Sequence, residues 1–196
     1  MNKDIMICGV GGQGTVLASK IIAASAMEEG NTVHSAETIG MAQRGGSVTS
    51  HVRIGDRAYS PLIPSGSAYL ILAFEPAEAV RNLKYLKKGG MAVVNRIPTK
   101  PVTESLHPSG YNGTEMIEYL QGKCDCIFVD ADEVCASFGS TKFFNIIILG
   151  IAAGSGRLGI DKDTILAQIA KRVPARFADI NRRAFLKGYE IGAGAA

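Results

Sequence analysis

The stretch ICGVGGQGT, residues 7 to 15, decides how the rest of the chain is read. Before it, DIMICG at residues 4 to 9 is a short apolar run that predicts a strand. After it, GQGTVLASKIIAASAMEEG places Val16, Leu17, Ile21, Ala24 and Met27 at helical spacing, with Gly30 as a stop signal. NTVHSAE then predicts a second strand, so a βαβ unit is complete by residue 37. Gly9, Gly11 and Gly14 have the G-x-G-x-x-G spacing of dinucleotide-binding turns. Glycines permit the sharp turn and leave no side chain between backbone N–H groups and a ligand. The helix from about Gly12 adds its positive N-terminal dipole. An anion or phosphate at residues 10 to 14 fits this physics, and so does a tight turn that binds nothing. Gln13 places an amide in the middle of the turn, suited to a ligand or a partner's backbone.

An NAD site also needs an acid near the end of the second strand, about 20 residues on. Glu37 stands there, but it opens directly into a second glycine-rich loop, GMAQRGGSVTSHVRIG. In that loop Gln43 and Arg44 precede Gly45 and Gly46, and Arg44 offers a two-pronged guanidinium to a carboxylate or phosphate. An exposed arginine on a surface loop is the plainer reading. Both loops follow strands at their carboxyl ends, the edge of an open α/β sheet where ligands bind.

The next segments extend the sheet. SVTSHVRI alternates, with Val48, Ser50, Val52 and Ile54 on one face, which predicts a half-exposed strand that leaves His51 at a surface or interface. Gly55-Asp56 predicts a hairpin turn and RAYSPLI its return strand. AYLILAF reads as a buried central strand, and Pro76 opens a helix that Lys87, Lys88 and Gly89 close. GMAVVN and CDCIFVDA are further strands, 97 to 113 is loop, and TEMIEYLQG is helical. Three helices follow, the second capped by Asp161, before a frayed GAGAA tail. The expected fold is α/β: a Rossmann-like open, mostly parallel sheet with helices on both faces and one hairpin, forming a single domain over residues 1–196.

Composition narrows the function. A hydrophobic share of 46% with 20% charged residues is that of an ordinary globular chain. A net charge of +3 without an aromatic-rich basic run gives no support to nucleic-acid binding. The apolar run FFNIIILGIAAG is broken by Asn145 and is too short to span a bilayer, and no secretory signal is evident, so a cytoplasmic protein without a membrane partner is expected. Cys8, Cys124, Cys126 and Cys135 include only one close pair, in C-x-C spacing, and His34, His51 and His107 lie far apart. The spacing points to no metal or cluster held by this chain alone.

At the two loops a family resemblance emerges. GVGGQGTVLASKIIAASAMEEG, AETIGMAQRGGSVTSHVRIGD and YSPLIPSGSAYLILAFEPAEAVR, in that order, resemble the gamma subunit or domain of 2-oxoacid:ferredoxin oxidoreductases. Among these the chain is similar to the beta subunit of the indolepyruvate type. The resemblance runs from about residue 4 to the last helix and is densest over residues 7 to 80. It implies an accessory subunit of an enzyme that decarboxylates an aryl pyruvate on thiamine diphosphate, sends the electrons through iron–sulfur clusters to ferredoxin, and releases an arylacetyl-CoA. It implies that the thiamine diphosphate and clusters belong to a larger partner subunit, and that CoA is the co-substrate. The chain has neither the cluster cysteines nor a GDG thiamine motif, the nearest text being IGDRAYS, and is expected to be inactive alone. Carried onto this sequence, Gly9, Gly11, Gly12, Gln13, Gly14 and Thr15 form one loop at the shared site, and Met41, Gln43, Arg44, Gly45, Gly46 and Ser47 form the other. No catalytic acid or base is expected here. YSPLIPSGSA, residues 59 to 68, either docks on the partner or covers the sheet's own edge. An isolated chain could pair as a homodimer through the same surfaces. Two other readings stay open: an NAD(P)-binding Rossmann oxidoreductase that uses the first loop, and a non-catalytic nucleotide-binding module.

Overall fold

A computed structural model describes residues 1–40, 45–56, 58–100 and 110–195. Its elements run β1 (Lys3–Val10), α1 (Thr15–Glu28), β2 (Val33–Ile39), β3 (Ser47–Ile54), β4 (Ala68–Ala73), α2 (Pro76–Asn82), β5 (Leu86–Asn95), α3 (Thr114–Gln121), β6 (Asp125–Val129), α4 (Ala131–Cys135), α5 (Phe144–Gly154), α6 (Lys162–Arg172) and α7 (Ala178–Gly194). The six strands form one sheet in the order β2-β3-β1-β4-β5-β6. β1, β4, β5 and β6 are mutually parallel, and β3 runs antiparallel to both its neighbours, β1 and β2.

Side-chain alternation along the central strands divides the core. Ile5 and Ile7 of β1, Leu70 and Leu72 of β4 and Val93 of β5 face α1, α5, α6 and α7. Met6 and Cys8, Ile71 and Ala73, and Ala92 and Val94 face the opposite side, with Ala79 of α2 and Leu120 of α3. These strands are buried on both faces, which explains their continuous apolar runs. Helices therefore cover both faces of a mostly parallel sheet, as the pattern predicts.

Three local expectations change. The hairpin does not form at Gly55-Asp56: no strand follows among the described residues of 57–67, and Gly55 instead donates its N–H to Thr32 O at 2.8 Å. The hairpin joins β2 to β3, so β3 lies between the two strands of the βαβ unit. The helix opened by Pro76, with Glu75 as its cap, ends at Asn82, and Lys87, Lys88 and Gly89 belong to the start of β5. The C-terminal tail is also more ordered than expected, since α7 continues to Gly194.

His51 is buried rather than at a surface. Its Nδ1 accepts the Ile63 N–H at 3.1 Å and its ring meets Tyr85 edge-on. That bond pins the 59–68 loop over the sheet. Arg53, salt-bridged to its cross-strand partner Asp4, also donates to Ser60 O and Leu62 O. Ile63 enters the core, while Tyr59 and Leu62 remain exposed.

α5 is almost wholly buried, and it packs on α7 with backbone against backbone. A Cβ on Gly188 would lie 2.0 Å from Ile147 O, and one on Gly150 would lie 2.1 Å from Phe185 O. The small residues therefore set the distance between these two helices. Among the described residues no single helix is long and apolar enough to cross a membrane.

Gly188→Ala is expected to destabilise the fold by about 2 kcal/mol or more, lowering the melting temperature by roughly 4–8 °C; differential scanning calorimetry measures this directly. Burial holds His51 below the ordinary histidine pKa of 6.5. The unfolded chain binds more protons below that value, and stability is lost as pH falls from the ordinary value through the folded one. Urea titrations across this range should show that His51→Gln removes this part of the pH dependence.

Candidate functional site

The glycine turn follows β1 directly. Gly12 and Gly14 have φ of 99° and 83°, a region that side-chain-bearing residues rarely adopt. Gly9 is needed for close approach, because a Cβ there would lie 2.6 Å from Gln13 Oε1 and 2.8 Å from Phe74 Cβ. α1 then starts at Thr15 with no side chain capping it and no acid in its first turn. Its leading N–H groups and positive dipole end are left for whatever enters the cleft beside them.

Gln13 organises this turn. Its Oε1 accepts the Val10 N–H at 2.8 Å, and its Nε2 donates to Phe74 O at 3.0 Å and Thr99 Oγ1 at 3.1 Å. The amide thus bridges the carboxyl ends of β1 and β4, whose following helices, α1 and α2, go to opposite faces of the sheet. This is a topological switch point. Asn95, buried at the end of β5, donates to Phe74 O and Ile97 O and accepts from the N–H groups of Ile97 and Ala131. Two amides therefore lock the carboxyl edges of β1, β4, β5 and β6 together.

These edges form one wall of a cleft of about 420 Å³, with Gly12, Gln13 and Gly14 on one side and Thr141, Lys142 and Asn145 on the other. Lys142 is exposed at the rim. Asn145 is only 9% exposed, and its side-chain amide makes no hydrogen bond with any described residue. It packs under Gly14, where a Cβ would lie 2.6 Å from Asn145 Nδ2. The Asn145 amide therefore opens into the cleft and is available to a ligand there.

Of the second loop, Met41, Gln43 and Arg44 lie outside the described residues. Gly45, Gly46 and Ser47 meet the first loop: Gly11 N–H donates to Gly46 O at 2.8 Å and Gly45 N–H to Gly11 O at 3.4 Å. Ser47 Oγ donates to Glu78 Oε2 at 2.6 Å, and the other Glu78 oxygen pairs with Arg81. Glu75, also buried, caps α2 through the Glu78 N–H and accepts from the Tyr111 hydroxyl, while burial and this carboxylate push the Tyr111 pKa well up. The structure therefore joins Gly9, Gly11, Gly12, Gln13, Gly14 and Thr15 to Gly45, Gly46 and Ser47. It adds Asn95, Lys142, Asn145, Glu75 and Glu78, which sequence reasoning did not place at the site. Asn145 had a sequence signal, as the one polar residue inside an apolar helix.

Glu37 is not placed as an NAD acid. It lies on β2, two strand spacings from β1, and accepts a hydrogen bond from Ser19 of α1 at 3.0 Å. Among the described residues no three His, Cys, Asp or Glu side chains converge on a point that could hold a metal.

The fold defines an open α/β domain with a cleft at the carboxyl ends of its parallel strands. The profile described as pyruvate ferredoxin/flavodoxin oxidoreductase matches residues 4–191, and the chain belongs to that family as an accessory, gamma-type subunit. The indolepyruvate oxidoreductase subunit IorB of Archaeoglobus fulgidus is 37% identical over 191 residues, covering 96% of this chain and 94% of that one. The keto/oxoacid ferredoxin oxidoreductase gamma subunit of Geobacter sulfurreducens has the same fold, with a TM-score of 0.71 at 23% identity over 98% of this chain and 99% of that one. A chain of 2-oxoglutarate:ferredoxin oxidoreductase from Magnetococcus marinus, solved with 2-oxoglutarate, coenzyme A and succinyl-CoA, gives a TM-score of 0.75 at 18% identity, covering 98% of this chain and 31% of that chain.

Gln13→Ala should leave the buried Val10 N–H without its side-chain partner, the Phe74 carbonyl keeping its bond from Asn95, and cost about 1–3 kcal/mol. Chemical denaturation of wild type and variant measures the loss, and equal stabilities would contradict the bridging role.

Proposed function

We propose that this chain is the non-cluster subunit of an indolepyruvate-type, thiamine diphosphate-dependent 2-oxoacid:ferredoxin oxidoreductase. The complex converts an aryl pyruvate and CoA to an arylacetyl-CoA and CO2, and reduces ferredoxin. Thiamine diphosphate, which stabilises the carbanion left by decarboxylation, and the iron–sulfur clusters reside in the larger partner. This chain contributes its whole length as one gamma-type domain at the CoA side of the shared site, and it has no turnover alone.

The observation that carries this reading is the cleft itself: an uncapped helix N-terminus and a glycine turn facing Lys142 and the unpartnered Asn145. That combination suits a phosphate group. The leading N–H groups of α1 and its dipole meet negative charge, Lys142 supplies a point charge at the rim, and Asn145 donates from below. Arg44, carried on the loop whose Gly45 and Gly46 touch the turn, supplies a second cation to CoA or to the oxoacid carboxylate. Asp132 also lines the cleft and is assigned no proton transfer. The chain's part is to bind, orient and exclude water. The NAD reading is less well supported, because β3 separates Glu37 from the turn.

The test is co-expression with the large partner, followed by aryl-pyruvate- and CoA-dependent dye reduction. Lys142→Ala and Asn145→Asp are each expected to raise the KM for CoA about tenfold, worth ~1.4 kcal/mol of binding, with kcat changed less than about twofold. Arg44→Ala should raise the KM for CoA or for the oxoacid. Wild-type constants for all three variants would overturn the assignment.

A further inference from the structure

Away from the cleft, the edge strand β6 carries a second chemical feature. Cys124 stands in the turn before the strand and Cys126 within it, and their sulfurs are 3.4 Å apart. Both thiols are half-buried and free, whereas Cys8 and Cys135 are fully buried. Each of the paired thiols points toward Leu120 O, at 3.9 Å, so both occupy one small pocket at the end of α3. Cys124 also lines an open cleft of about 420 Å³ bounded by Lys87, Lys88 and Lys123, with Asp125 the one acid there.

Extended residues two apart place their Cα atoms about 6.6 Å from each other, and a disulfide accepts Cα separations of roughly 4.4–6.8 Å. The sulfurs must close by little more than 1 Å to reach the ~2.05 Å of a bond. The turn at Lys123 and Cys124 is where the backbone can supply that movement. An extended C-x-C bridge lies near the long end of the permitted range, which makes it more readily reduced than a structural disulfide.

We propose that Cys124 and Cys126 form a reversible dithiol–disulfide site, oxidised by small anionic disulfides that enter the lysine-lined cleft. In the first step the Cys124 thiolate attacks one sulfur of the disulfide RSSR, forming Cys124–S–S–R and releasing RS⁻. In the second, Cys126 gives up its proton to solvent and attacks Cys124 Sγ, forming the intrachain bond and releasing the second RS⁻. Two electrons pass from the protein thiols to RSSR, and the products are one protein disulfide and two RSH.

The surroundings fit the order of attack. Cys124 faces the cleft, and the neighbouring Cys126 S–H lowers its pKa below the ordinary thiol value by stabilising its thiolate, while the pKa of Cys126 is raised by the same contact and by burial. The thiolate is the nucleophile, so Cys124, the member that lines the cleft, reacts first. Three lysines against one aspartate leave the cleft cationic, which raises the local concentration of an anionic oxidant.

The test treats the native full chain with oxidised glutathione, then unfolds it in urea so that iodoacetamide blocks every remaining thiol including the buried Cys135, and digests with trypsin. Cleavage after Lys123 and Lys142 yields peptide 124–142, which carries Cys124, Cys126 and Cys135. The expected peptide bears one alkyl group, on Cys135, and is lighter by two hydrogens until dithiothreitol restores it. Cys126→Ser should stop at the glutathione adduct on Cys124, and Cys124→Ser should slow adduct formation at least tenfold. Cystamine, a cationic disulfide, should react more slowly than glutathione disulfide at low salt, with the gap narrowing as salt screens the lysines. Three alkyl groups on the wild-type peptide, a stable adduct that never closes, or a link to Cys135 would overturn the pairing. A cystamine rate equal to or above that of glutathione disulfide would overturn the anionic preference. The wild-type peptide decides the pairing, so the result does not depend on the variants folding.

Discussion

The site depends on the position of β3. It pairs antiparallel along its full length with β1, from Lys3↔Ile54 to Val10↔Ser47, and on its other side with β2. Because it starts at the carboxyl end of β1, the loop that feeds it must lie against the glycine turn that leaves β1. The contacts between Gly11 and Gly45–Gly46 follow from that register, as does the reach of Ser47 to Glu78 at the start of α2. The same insertion moves β2, and with it Glu37, one strand further from the turn. A parallel β2 beside β1 would have given a dinucleotide-type edge. An antiparallel strand between them instead brings the second glycine loop against the turn that lines the cleft.

Around this register the polar groups divide into two kinds. Gln13 and Asn95 have their amides occupied by backbone and hold the carboxyl edges of four strands in place. Glu75 and Glu78 do the same at the start of α2. Asn145 differs: its amide opens into the cleft and makes no hydrogen bond with any described residue. Gly14 lies directly over it, and any side chain at that position would close the space between them. The site is rigid where groups are satisfied and open where one is not, which is the arrangement expected of a preorganised ligand site.

Much of this was legible in the sequence. The strand–turn–helix reading of residues 4–28, the buried strand at 68–73, the Pro76 start of α2, the Asp161 cap and the helical last third all rest on local periodicity and capping chemistry, and they hold. The hairpin did not follow from local signals. Gly55-Asp56 has turn chemistry, but His51 and Arg53 bind the following segment as an irregular loop, so no return strand forms there. His51 on an alternating strand looked half-exposed because the covering loop is non-local. The glycine residues of the site were readable from spacing. Its other half was not, because Lys142 and Asn145 come more than a hundred residues later in the chain, and only the order of strands in the sheet brings α5 to the turn.

The central claim is that the carboxyl-edge cleft of this chain receives the phosphate-bearing part of CoA in the assembled enzyme. Hydrogen exchange on the complex with the large partner, with and without CoA, tests it most directly. The account predicts slowed exchange at residues 11–16, 45–47 and 141–146 when CoA is present, with the amides of β2 and α6 unchanged. Protection confined to the partner subunit, with no change at those three segments, would contradict it.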